Sequence, residues 1–172
     1  MNNSQGTTGK TVRNRISRAW LSDLGGLAMW LVACFAASAM GAVFPPGEWY
    51  QSLSKPSWNP PPWVFGPMWT ALYLMMAVAA WRVWRRGGWR VQKRPLGWFA
   101  LQLVLNAAWT PLFFGLHQAG FAFAEIVLLW LAILATLLAF LRVDRPAAWL
   151  LVPYLGWVGF AAILNFTLWR IN

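Results

Sequence analysis

The stretch AGFAFAEIVLLWLAILATLLAFL, residues 119–141, decides the fold. It carries one ionisable side chain, Glu125. At helical rise it is long enough to cross the ~30 Å hydrocarbon core of a bilayer. A barrel strand would be about ten residues long with alternating polarity, and neither holds here. Working outward, four more uncharged or nearly uncharged runs appear, at about 24–44, 64–84, 96–116 and 146–169. The reading is an all-α membrane protein, a bundle of five transmembrane helices. Pro95 and Pro146 stand at helix starts, where a missing N–H costs nothing, and Pro67 is expected in a first turn. Pro111 and Pro153 are expected inside helices, where they should kink them.

Composition agrees. The chain has 172 residues, 59% apolar and 10% charged, where a soluble domain carries roughly 25% charged residues. So short a domain cannot hide that much apolar surface from water, which excludes an ordinary soluble enzyme and a disordered tail. One Cys and one His leave no intrachain disulfide and no zinc site built from several such ligands. His117 alone is weak evidence for an axial ligand to a metalloporphyrin. No metal and no required cofactor are expected. Cys34 reads as a small apolar filler.

The net charge of +10 does not point to nucleic acid, because Lys and Arg in the loops of a membrane protein report orientation first. Residues 1–23 form a polar, basic tail, and residues 24–172 form the membrane domain. Twelve of the 14 Lys and Arg fall on the side of the N-terminus, the 82–95 loop and the 142–145 turn. The bias places the N-terminus inside and the C-terminus outside, in an integral membrane protein of, by expectation, a bacterial cell envelope.

Residues 45–63 hold six of the eleven prolines, with Trp49, Tyr50, Trp58 and Trp63 among them. A Pro-rich chain is stiff and costs little entropy to order. This loop reads as a structured lid on the outer face; an interfacial aromatic belt with incidental prolines is the plainer alternative. On the third helix Gln102, Asn106, Trp109 and Phe113 share one stripe, and buried amides at membrane depth turn inward. Trp69 and Tyr73 lie four apart on the second helix. Tyr154, Trp157, Ala161 and Asn165 share a broad face of the fifth. With Trp58 from the loop, these residues converge on an apolar, aromatic pocket with a few hydrogen-bonding groups, suited to a flat hydrophobic ligand. Asn and Gln also serve as plain glue between helices, and that reading stays open for each amide. Glu125 reads either as a proton or cation site or as an interfacial group bonded to a neighbouring Trp or amide. Ala33, Ala37 and Gly41 form a small-xxx-small row for close helix contact, within one chain or between two.

Several ordered motifs resemble the tryptophan-rich sensory proteins, the TspO/MBR family that includes the translocator proteins, or peripheral benzodiazepine receptors. They are KPSWNPPPWVFGPMWTALY at 55–73, QLVLNAAWTP at 102–111, FFG at 113–115, VPYLGW at 152–157 and LNF at 164–166. The resemblance spans roughly residues 24–172. It implies a five-helix bundle, often a homodimer, that binds porphyrins such as protoporphyrin, and synthetic isoquinoline and benzodiazepine ligands, under its first loop. By motif position Trp69, Asn106, Trp109, Trp157 and Ala161 match the family's pocket residues. The family's sterol motif needs a Tyr where this chain has Phe166, which speaks against a sterol partner.

The expected function is therefore a membrane receptor or sensor that binds tetrapyrroles and regulates their metabolism or a stress response. The partners are a porphyrin or other hydrophobic small molecule and membrane lipid, with no nucleic acid. Two alternatives accompany it. One is a small-molecule transporter with Glu125 as coupling site, against which stands the lack of a clear internal repeat. The other is light-dependent porphyrin degradation with Trp69 and Trp157 as the reacting side chains. The reading leans against an enzyme, since metal and Ser–His chemistry lack their residues.

Overall fold

A computed structural model describes residues 23–172; all but the last residue of the expected basic tail lies outside the described residues. Five helical spans long and apolar enough to cross a membrane make up the bundle. The first, α1, covers Asp23–Val43, with a turn at Ala39. A short helix α2 (Glu48–Ser52) follows in the Pro-rich loop. The second span is α3 (Pro62–Trp84). One turn, α4 (Gly88–Val91), leads to α5 (Lys93–Thr110). The fourth span is α6 (Ala119–Leu141), and the fifth is built from α7 (Arg145–Trp149) and α8 (Val152–Ile171). No strand occurs among the described residues.

Three prolines act differently from expectation or in more detail. Helix α3 starts at Pro62, so Pro67 lies inside it and not in its first turn; Pro62 takes the first helical position, where its fixed φ suits helix entry. Pro153 does not kink a continuous helix: the fifth span breaks at Leu150–Leu151, and Pro153 sits in the first turn of α8. Pro111 does perturb α5. Beyond it, residues Pro111–Gly115 wind as a π-helix, with the Leu116 N–H bonding the Pro111 carbonyl at 2.8 Å. Such a wide turn inserts an extra residue and re-aims the side chains after it.

Lipid supplies no hydrophobic drive between helices, so close packing must hold the spans together. Helix α3 lies against α7, and Ala77, Ala80, Ala147 and Ala148 of these two helices are wholly buried. Phe99 of α5 takes the Trp30 edge at 5.4 Å and stacks with Phe140 of α6 at 6.0 Å. Ala33 and Ala37 of the small-residue row pack against this core. Helices α5 and α6 run back to back through the His117–Gln118 turn, where His117 takes φ 57°, a left-handed conformation uncommon outside glycine.

At one end of the bundle, Asp144 ties the start of α7 to the end of α3 and the turn after it. Its carboxylate caps α7 by accepting from the Ala147 N–H at 3.0 Å, and it pairs with Arg82 at 3.2 Å and Arg86 at 3.1 Å. Burial works against the charge, but the Ala147 N–H and the two guanidinium groups outweigh it and hold the Asp144 carboxyl below the usual Asp range. Beside it Arg85 pairs with Asp23 at 2.9 Å. The Trp81 indole N–H donates to the Asp23 carbonyl at 2.9 Å. Arg82, at the end of the second span, is thus an ion-pair partner.

Candidate functional site

The opposite end holds a cavity of about 840 Å³, walled by α1, the Pro-rich loop, α3, α5, α6 and α8. Three of its walls carry an indole. Trp69 comes from α3, Trp109 from α5 and Trp157 from α8. Trp69 stacks on Tyr73 at 5.5 Å, and Trp109 stacks on Phe113 at 4.9 Å. Phe65 meets the Trp157 face edge-on at 5.9 Å. Of the ten ligand-lining residues expected from sequence, Trp69, Tyr73, Asn106, Trp109, Phe113, Trp157, Ala161 and Asn165 face this cavity.

Two do not. Trp58 leans outward against Phe160 at 5.9 Å and is 45% exposed. Tyr154 is fully buried behind the wall, 6.3 Å from the Trp69 ring. There it completes a chain of buried hydrogen bonds. The Tyr73 hydroxyl donates to Asn106 Oδ1 at 2.6 Å, Asn106 Nδ2 donates to the Tyr154 oxygen at 3.0 Å, and the Tyr154 hydroxyl donates to Gln102 Oε1 at 2.9 Å. A second amide is tied in the same way: the Trp109 indole N–H donates to Asn165 Oδ1 at 3.1 Å, and Asn165 Nδ2 donates to the Ala119 carbonyl at 2.8 Å. Each end of both amides already has a protein partner. Asn106 and Asn165 therefore fasten α3, α5, α6 and α8 together, as buried amides do in lipid.

The unspent polar atoms lie elsewhere on the wall. Trp157 Nε1 and Asn59 Oδ1 are buried without a partner among the described residues, and both residues line the cavity. Asn59, Tyr50, Phe65 and Phe114 were not expected from sequence. The first two sit in the loop, where no period marks a facing side. Phe114 turns inward with Phe113 in the π-helical segment, which a regular helical wheel does not reproduce. Gly115 ends that segment, and a Cβ there would meet the Phe44 ring at 2.8 Å; its missing side chain lets the end of α1 close on the cavity. Burial pushes the Tyr50 phenol above its usual range, with the nearby Asn59 side chain acting the other way.

Glu125 stands apart. It is 9% exposed, and neither carboxyl oxygen has a partner among the described residues. The suggested bond to a nearby Trp or amide is not made among the described residues. Glu125 is not a lining residue of the cavity, so it is not placed to meet a cargo there. His117 stacks on Trp49 of α2 at 4.3 Å, outside the cavity wall.

Known proteins place this arrangement. The sequence pattern of the TspO/MBR family matches residues 27–170. The chain is 44% identical over 149 residues to "Protein CrtK" of Rhodobacter capsulatus, covering 84% of this chain and 91% of that one. It is 46% identical over 151 residues to "Tryptophan-rich protein TspO" of Chlorobaculum tepidum, covering 85% and 95%. It is 41% identical over 158 residues to the "Translocator protein" of Homo sapiens, covering 89% and 91%. With five membrane-crossing helices and a match over nearly the whole described chain, this integral membrane protein belongs to the TspO/MBR family.

Proposed function

We propose that the chain is a membrane receptor that takes porphyrin-type tetrapyrroles, and other flat hydrophobic molecules, into the cavity under the Pro-rich loop. The observation that carries this reading is the set of three indoles, from three different helices, around one cavity of about 840 Å³. That volume falls in the range of about 300–1,000 Å³ typical of small-molecule sites. Indole faces give a planar aromatic ring a large contact area at little conformational cost. Protoporphyrin titrated in the dark should quench Trp fluorescence saturably; quenching no greater than with Trp in empty detergent micelles rejects the receptor.

A second reading has its own support. Trp69 and Trp157 face the same cavity from different helices, so an excited porphyrin between them has an electron donor on two sides, with dissolved oxygen as oxidant. Light-driven loss of porphyrin absorbance above the detergent blank, slowed in Trp69→Phe and Trp157→Phe, would make the receptor a photo-oxidase as well. We also propose that the Arg-rich end of the bundle faces the inside of the cell, following the charge bias. Single Cys residues at positions 52 and 90, in a Cys34→Ser background, should label from opposite sides of the membrane.

A further inference from the structure

We infer that Lys55 is a carboxylate-recognition site at the mouth of the cavity, so that the receptor prefers an amphipathic acid: a flat apolar body bearing a carboxylate on the side of the Pro-rich loop. The inference rests on the receptor reading and narrows its ligand class. Among the described residues Lys55 is the one cation lining the cavity, and no Asp or Glu lines it. Among the described residues no carboxylate pairs with it. Its ammonium is nevertheless held in place. Nζ donates to the Gln51 carbonyl at 3.0 Å and the Leu53 carbonyl at 3.1 Å, and it lies 4.9 Å from the centre of the Tyr50 ring.

An ammonium has three N–H donors. Two are spent on backbone carbonyls, and the third remains for a ligand. The two carbonyls and the ring face fix the side chain beforehand, so an entering anion need not order a flexible Lys. The rest of the wall is mostly apolar and aromatic, which accepts the body of such a ligand and offers its charge no rival cation. A charge-assisted bond at this rim is partly screened by water, and a discrimination of roughly fivefold to tenfold is expected from it.

The experiment compares protoporphyrin, which carries two carboxylates, with its dimethyl ester. Dissociation constants come from Trp quenching of the full chain in an uncharged maltoside detergent, in the dark. The parent should bind the diacid about five to ten times more tightly than the ester, with the ratio shrinking as salt is raised. Lys55→Met should bring the ratio to near one, and Lys55→Arg should largely keep it. Because the ratio is taken within each variant, a general weakening of the loop does not mimic the result. Equal binding of diacid and ester by the parent overturns the inference while leaving the receptor intact. So does a ratio that survives in Lys55→Met, which would assign the discrimination to another group. Binding of neither porphyrin overturns the receptor reading itself and this inference with it.

Discussion

The two ends of this bundle solve the burial of polar groups in opposite ways. At the Arg-rich end Asp144 has three partners on two elements, and Asp23 and Arg85 satisfy each other nearby. At the cavity end Trp157 Nε1 and Asn59 Oδ1 are buried without partners and Lys55 has no counter-ion among the described residues. Unsatisfied buried groups cost stability, and two of them belong to residues that line the cavity. One end closes on its own ion pairs, and the other keeps a cavity.

The largest test of that contrast is Asp144→Asn. The amide keeps an oxygen for the Ala147 N–H but loses both ion pairs. A loss of about 2–3 kcal/mol is expected, in line with hydrogen bonds to charged groups. Melting in detergent measures it. The pH dependence has a definite sign. The folded Asp144 carboxyl titrates below the usual 3.8, so its contribution is complete above that value and fades as pH falls through the folded one. The parent should lose stability on acidification through this window, and Asp144→Asn should lack that component. A variant as stable as the parent would mean that packing alone holds this end.

Next in size is Asn106→Leu. As an orienting group for a ligand, Asn106 would change affinity and spare the fold. The observed bonds to Tyr73 and Tyr154 say otherwise, because removing the amide strands the buried Tyr73 hydroxyl and takes one of its two bonds from the Tyr154 hydroxyl. A loss of about 1–3 kcal/mol in stability is expected, with a smaller change in porphyrin affinity. A normal melt with strongly weakened binding would return the amide to the ligand. Trp157→Phe should behave the opposite way. Its N–H has no protein partner, so the melt should stay within about 0.5 kcal/mol, while the smaller ring face weakens binding of a porphyrin by about 1 kcal/mol.

These two residues show how far the sequence could be read. The five spans were legible to within a few residues, because length and apolarity alone make a membrane helix. The inward stripe of α5 was legible too, since amides avoid lipid. What Asn106 does on that stripe was not, because whether an amide bonds a ligand or a neighbour depends on where Tyr73 and Tyr154 of other helices put their hydroxyls. Phe114 was missed because Pro111 changes the winding of the helix after it, and Asn59 because a proline-rich loop has no period. Pro153 was misplaced for a related reason: the Leu150–Leu151 break is as apolar as the helices it separates. Trp58 was drawn into the site by its place in the loop, although side-chain direction in a loop is set by contacts, here with Phe160.

The smallest effect concerns what fastens the loop to the bundle. Asn172 accepts from the Ser54 N–H at 2.8 Å and donates to the Ser54 carbonyl at 3.1 Å, while a second donor bond reaches the Leu168 carbonyl at 3.0 Å. One side chain thus ties the backbone of the Pro-rich loop to the last turn of α8. The two loop bonds are exposed, so water can replace them, and their net worth is only about 0.5–1 kcal/mol. Asn172→Ala should leave the melt nearly unchanged. Hydrogen exchange is the sensitive measurement, since it reports local opening well below global unfolding. Amides of residues 47–59 should exchange severalfold faster in the variant, and those of α3 and α6 at the parent rate. Thr167→Ala is the control: its hydroxyl bonds the Ile163 carbonyl on the same stretch of α8 without touching the loop. If both variants speed exchange alike, the end of α8 has frayed and the loop contact is incidental. If neither does, the loop is held by its aromatic contacts, Trp49 on His117 and Trp58 on Phe160, and polar ties have no part in closing the cavity end.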